Sequence, residues 1–271
     1  MALSPTGFVL GIRRVSSLLP HEQTIPSNVQ RLADEITRDR VQKDPIVIDA
    51  KSSTVLDGMH RLAAFKQLGL GQAVVCAVDY QSDFVQLKRW ARVYSHLGAT
   101  SPQELLSALG PFRRVTSAEA FSALDNGEAG LAVLNRDTAY VPDGPARLEA
   151  AIDLVNRADD FVVTMKWERR FIPEDEIDSS LQGVNNIVVL LRRLGKEEIV
   201  KAATTANLFP CKSSMHLIDP RPVGVNFPID ELDGATSQTL EAKLKGKRER
   251  LLPANSIYGD RRYKERLLVL S

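Results

Sequence analysis

Apolar residues at Val29, Leu32, Ala33 and Ile36 recur at helical spacing and predict a helix through Ile36, with Ser27 as its N-cap. Before it, Leu18 to Gln23 reads as a loop. After it, Pro45 opens a short strand, Ile46-Val47-Ile48-Asp49, and the polar turn Ala50 to Ser53 returns the chain as Thr54-Val55-Leu56, a hairpin. Asp57-Gly58 follows. Leu62, Ala63, Phe65 and Leu68 then predict a second helix that stops at Gly69, and Ala73 to Val78 reads as another strand.

Further along, the pattern predicts a helix from Phe84 to Leu97 carrying Trp90, and Ser101-Pro102 opens another with proline at its first position. Leu131–Leu134 and Thr138–Val141 suggest a second hairpin. Asp159 and Asp160 read as charged and helix-breaking. Ile177 to Ala206 reads as one long helical stretch interrupted by Gly183 and Gly195, and Cys211 to Asp219 as an irregular segment between Pro210 and Pro220. The last thirty or so residues are basic, with acidic residues interspersed, and suggest a solvated helix. A domain boundary is expected near residue 100, although no linker composition marks it.

Composition narrows the classes. A chain of 271 residues with 44% hydrophobic and 25% charged residues can bury a core and is not wholly disordered. A formal net charge of +1 provides no overall pull toward nucleic acid or anionic lipid, so neither is expected as a partner. Two cysteines, Cys76 and Cys211, give neither a disulfide framework nor zinc-site spacing. No signal peptide or membrane-spanning run is visible, which makes a cytoplasmic protein the expectation.

The candidate chemistry lies in Asp57-Gly58-Met59-His60-Arg61, placed between a strand and a helix. The first helical turn leaves backbone N–H groups without intrahelical acceptors, and Gly58 allows an anion close approach to them. His60 and Arg61 add donors suited to phosphate oxygens. Asp57 would repel a bare phosphate, so it suits a magnesium ion or an acceptor hydroxyl. On spacing alone, a plain strand–turn–helix corner with Asp57 capping the helix is equally good.

A strand, Asp-Gly-x-His-Arg, an Ala-rich helix and Leu68-Gly69 together resemble the ParB/sulfiredoxin-like superfamily, in which this loop grips nucleotide phosphates. Met59 stands where sulfiredoxins carry their cysteine, and the arginine-rich boxes of partition proteins are missing. Free serine kinases fit better. Pro20-His21-Glu22-Gln23, Asp79-Tyr80 followed by Trp90, and Lys212-Ser213-Ser214-Met215-His216 ahead of Pro220 and Phe227–Leu232 are similar to that branch in order and spacing. The match covers residues 20–95 and 205–235; two threonines of the family are Ser213 and Ser214 here, and an arginine is Met215.

The resemblance implies an α/β (α+β) fold: a ParB/sulfiredoxin-like nucleotide-binding domain over 1–98, and a second, smaller α/β domain over 99–271 that closes the cleft and contributes loop 212–216 and the basic tail. It implies transfer of a phosphoryl group from ATP or ADP, with Mg2+, to the hydroxyl of free L-serine, and of L-threonine as second choice. Glu22 is the expected base, with Asp57 beside it in catalysis or on the magnesium. Gly58, Met59, His60 and Arg61 are expected to hold the nucleotide, and Trp90, Lys212, Ser213, Ser214 and His216 the amino acid. His21 would assist Glu22 or orient its loop. Without the resemblance Glu22 reads as an exposed loop residue and Trp90 as core. The competing class is a non-catalytic ParB-like regulator that binds nucleotide or DNA.

Overall fold

The computed structural model describes residues 7–95, 102–183 and 185–271. The chain forms two compact units: residues 1–87, 195–211 and 216–271 form one, and residues 88–194 with 212–215 form the other. These are not the two consecutive domains expected from the sequence. The expected boundary at 98 lies outside the described residues, and the C-terminal segment belongs with the N-terminal unit. Its apolar residues explain this. Val225, Phe227, Ile229, Leu232, Leu240 and Leu270 are buried in one core with Ile12, Ile46, Val55, Leu62, Phe65 and Val75, so burying them stabilises the N-terminal unit.

In that unit a four-stranded sheet runs Phe8–Arg14, Gln72–Val78, Ile46–Asp49, Val55–Asp57. The middle pair is parallel and the outer pairs are antiparallel. Helices Pro26–Asp39 and Met59–Gln67 complete this part. The first begins with Pro26 at its first turn and Ile25 as its N-cap, so Ser27 lies inside it rather than capping it. The expected hairpin at 46–57 forms. Helix Lys196–Thr205 belongs to the same unit.

The second unit is built on a six-stranded antiparallel sheet in the order Glu168–Pro173, Trp90–Ser95, Asn186–Leu191, Leu131–Leu134, Ala139–Pro142, Phe112–Val115. Here three expectations are corrected. Residues 84–97 do not form a helix: Val85–Lys88 and Trp90–Ser95 are strands, and Leu97 lies outside the described residues. Ile177–Ala206 is not one helical stretch: in sequence the short helix Ile177–Leu181 precedes, and the helix Lys196–Thr205 follows, the central strand Asn186–Leu191, where the five successive apolar residues Ile187 to Leu191 are buried. Asp159 and Asp160 lie within helix Leu148–Thr164. Asp159 is held there by Arg92 at 3.3 Å, Arg169 at 3.1 Å and the Tyr94 hydroxyl at 2.8 Å. The expected helix after residue 100 is Pro102–Leu109, with Ser101 outside the described residues, and the second hairpin forms at Leu131–Pro142.

The basic C-terminus is also not a solvated helix. After helix Ser237–Leu244 it forms strand Glu249–Leu252, the hairpin Ile257–Tyr258/Arg261–Arg262, and strand Leu267–Leu270. Leu267–Leu270 pairs in parallel with Arg221–Val223 and antiparallel with Glu249–Leu252. No helix among the described residues is long and apolar enough to cross a membrane.

Candidate functional site

In the N-terminal unit the Pro20-His21-Glu22-Gln23 loop is pinned on two sides. Leu19 exchanges backbone hydrogen bonds with Ser53 and Val55 at 3.1 and 2.8 Å. On the other side, Phe209 N–H donates to the His21 carbonyl and Gln23 N–H to the Phe209 carbonyl, each at 2.9 Å. This accounts for the burial of a loop that its polarity would leave in water. His21 is fully buried and Glu22 is only 7% exposed.

His21 Nδ1 donates to the Val55 carbonyl at 2.7 Å, which turns Nε2 toward Glu22 Oε1 at 3.7 Å. Strand Val55–Asp57 therefore anchors the glutamate-bearing loop and ends at the start of the phosphate-type loop. His216 lies edge-on to His21, with ring centroids 5.4 Å apart, and its Nε2 is 2.8 Å from the Tyr80 hydroxyl. Its Nδ1 is buried with no hydrogen-bond partner. Burial, then the neighbouring His21, pushes the His216 imidazole down to about 3, against the opposing pull of the Glu22 and Asp57 carboxylates. His216 is therefore neutral near pH 7. Burial, with Asp49 adding to it, pushes the Tyr80 phenol up, so Tyr80 keeps its proton.

Gly58 is the N-cap of helix Met59–Gln67, at φ 100°, and no side chain caps this helix end. Asp57 is thus not the cap that the plain-corner reading supposed. Its Oδ2 instead accepts from Arg61 Nη2 at 3.1 Å and Arg221 Nη1 at 3.0 Å, and Arg261 Nη1 lies 3.7 Å from Oδ1. Arg221 is buried and spends its remaining donors on Glu265 and the His216 carbonyl. Burial alone would lower the Arg221 pKa, but Asp57 and Glu265 raise it above the ordinary value. A Cβ on Gly58 would meet the Arg61 guanidinium at 3.0–3.4 Å, so glycine is what allows Arg61 to lie over this turn.

Two loop residues differ from the simplest phosphate role. His60 Nε2 accepts the Ile25 backbone N–H at 3.0 Å, so that nitrogen ties the loop to the helix beginning at Pro26. The Met59 side chain is part of the core, leaving its backbone N–H as the group that can face an anion. The second unit holds Trp90, Lys212, Ser213 and Ser214. There Lys212 Nζ lies 4.7 Å from the Trp90 ring centroid, and the two serines are buried. Among the described residues no group of three His, Cys, Asp or Glu could hold a metal on its own. The sequence reading missed Tyr80 as the partner of His216, and also Arg221, Arg261 and Glu265. No local motif marks the last three, because their relevance arises only when the C-terminal segment returns to the N-terminal unit.

No family model matches the chain. It is 21% identical over 224 residues to the ADP-dependent L-serine kinase SerK of Thermococcus kodakarensis, which covers 80% of this chain and 90% of that protein. It is 23% identical over 232 residues to an ATP-dependent L-serine kinase of Desulfurococcus mucosus, with 80% and 89% covered. A solved free serine kinase carrying a glutamate-to-glutamine substitution, in complex with AMP, matches with a TM-score of 0.69 at 20% identity, covering 86% of this chain and 96% of the other. The fold is that of the free serine kinase structures.

Proposed function

We propose that this chain transfers a phosphoryl group from ATP or ADP to the hydroxyl of free L-serine, giving O-phospho-L-serine, with L-threonine as second acceptor. One observation carries the reading. A buried glutamate, Glu22, lies 3.7 Å from the buried His21, which packs edge-on against the buried His216, and Arg221 bonds both the His216 carbonyl and Asp57, the first residue of an Asp-Gly-x-His-Arg loop. The names of the two relatives, an ADP-dependent and an ATP-dependent L-serine kinase, support the donor pair.

Phosphoryl transfer requires donor phosphate and acceptor hydroxyl to be positioned, charge to be neutralised and the hydroxyl proton to be removed. Glu22 supplies the base: its carboxylate would accept the serine hydroxyl proton as the oxygen attacks the terminal phosphorus and the phosphoanhydride bond breaks, releasing ADP from ATP or AMP from ADP. His21, tethered through Nδ1 to Val55, orients that carboxylate. The N–H groups of Met59 and its neighbours, with Arg61, would take the phosphate oxygens. His60 supports the same loop through its bond to Ile25.

Asp57 Oδ2 is taken by Arg61 and Arg221, so a magnesium ion would have only Oδ1 of Asp57 and would be held mainly by the nucleotide phosphates. Magnesium commonly uses one or two carboxylates together with substrate phosphates, so a dedicated ligand cage is not needed. When bound it would neutralise developing charge on the transferring group. The assignment of Trp90, Lys212, Ser213, Ser214 and His216 to the amino acid is retained as part of this proposal and rests on the resemblance.

Mass spectrometry of reactions containing the purified protein, magnesium, ATP or ADP, and L-serine or L-threonine tests the reading. It expects O-phospho-L-serine in at least one donor combination, with less product from threonine. Product from neither amino acid, by a folded protein that binds nucleotide, would favour the non-catalytic regulator.

A further inference from the structure

The guanidinium of Arg261 occupies a different chemical situation from its neighbours. Arg61 and Arg221 both bond Asp57 Oδ2, and each spends further donors on the Pro45 carbonyl or on the His216 carbonyl and Glu265. Arg261 approaches Asp57 Oδ1 only to 3.7 Å, outside hydrogen-bond reach, and is 39% exposed. It is nonetheless held in place. Its guanidinium carbon lies 4.6 Å from the centroid of the Tyr263 ring, and Tyr263 is buried with Arg221 also within 5.8 Å of its ring. Stacking on an aromatic face leaves the guanidinium edge, with its paired donors, available to a planar or tetrahedral anion.

The backbone explains why this side chain is where it is. Tyr258 pairs with Arg261 across a two-residue hairpin turn whose first central residue, Gly259, has φ 62°, as tight hairpins require. The following strand, Leu267–Leu270, is locked in parallel to Arg221–Val223. Arg221 and Arg261 thus reach the same carboxylate from two separate small sheets, the Arg221–Val223 strand and the Ile257–Tyr258/Arg261–Arg262 hairpin. Three guanidiniums, Arg61, Arg221 and Arg261, approach Asp57 beside the N-terminus of helix Met59–Gln67, and of these Arg221 is also paired with Glu265.

We infer that Arg261 is a further phosphate-binding residue of this site, placing its unspent donors on the phosphate oxygens of the bound nucleoside di- or triphosphate. This rests on the proposed kinase reading and adds to it a residue from the C-terminal hairpin, which neither the loop motif nor the resemblance assigns. The phosphomonoester of O-phospho-L-serine offers the same chemistry, so the test must separate the two.

Calorimetric titration of ADP, and separately of O-phospho-L-serine, into the wild-type chain and into Arg261→Ala, Arg261→Lys and Arg262→Ala provides that separation. Arg262 is exposed and adjacent, and its removal changes net charge equally. Losing a charge-assisted contact should weaken ADP binding roughly ten- to a hundredfold in Arg261→Ala. Arg261→Lys should fall between, and Arg262→Ala should match wild type; melting curves confirm that each variant is folded. Equal ADP affinity in wild type and Arg261→Ala overturns the inference while leaving the kinase reading intact. Weakening of O-phospho-L-serine binding alone overturns the assignment to nucleotide. Failure of the wild-type chain to bind any nucleotide removes the kinase reading, and the inference with it.

Discussion

The Tyr80 hydroxyl lies 2.8 Å from Nε2 of His216, and both residues are buried. Lys196 stacks on the Tyr80 ring with Nζ 5.3 Å from its centroid, so the phenol is fixed from the other side. A neutral imidazole held in this way, with Nδ1 unpartnered, presents one fixed polar atom beside His21 and adds no positive charge of its own.

That pairing has a consequence for acid stability. The folded chain holds His216 at about 3, whereas the ordinary value is 6.5, so between these limits the unfolded chain binds more protons. The stability His216 contributes is complete above 6.5 and is lost as pH falls toward about 3, with a slope of at most ~1.4 kcal/mol per pH unit. His216→Gln should therefore show a shallower fall in melting temperature from pH 6.5 to 4 than wild type. Parallel curves would contradict the assignment of a neutral buried imidazole.

Glu22→Gln keeps the shape of the side chain but removes its basicity. Turnover should fall by about 10²- to 10⁴-fold, the usual contribution of a positioned base, while the Kd for ADP changes only a few-fold. Steady-state kinetics and a nucleotide titration on the same preparation check both halves. Near-normal kcat would remove Glu22 from the base role.

Arg221→Met leaves Glu265 buried beside no cation from that position. A broken buried ion pair costs about 3–5 kcal/mol, visible as a lower urea midpoint. Adding Glu265→Gln removes the stranded charge and should recover part of that loss. A single variant as stable as wild type would show that the pair does not support the fold.

Gly58→Ala places a side chain at φ 100° and drives its Cβ to 3.0 Å from Arg61 Nη2. The backbone strain alone costs roughly 1–2 kcal/mol. If the Arg61 guanidinium is displaced, the KM for nucleotide rises with it. Chemical denaturation and KM measurements on one variant read both effects, and an unchanged KM would separate Arg61 from nucleotide binding.

Much of the N-terminal unit was legible because its signals are local. The Asp57-Gly58 step between Val55–Leu56 and Leu62–Phe65, and Pro45 opening the short apolar run Ile46–Ile48, specify strand, turn and helix within about 20 residues. Strand Asn186–Leu191 was misread because a strand buried on both faces shows no alternation and matches a buried helix equally well. Asp159 was misread because three partners distant in sequence, Arg92, Tyr94 and Arg169, make a carboxylate stable on that helix. At the site, His21, Glu22 and the Asp57–Arg61 loop belong to recognisable motifs. Arg221, Arg261 and Glu265 do not, and acquire meaning only through the pairing of Leu267–Leu270 with Arg221–Val223.

Phosphorus NMR of the wild-type protein with magnesium, L-serine and ADP or ATP follows donor and product in one spectrum. The account predicts a phosphomonoester resonance that grows as the terminal phosphate signal of at least one donor declines, and that requires L-serine. Spectra unchanged over time with both donors, from folded protein shown to bind nucleotide, would contradict it.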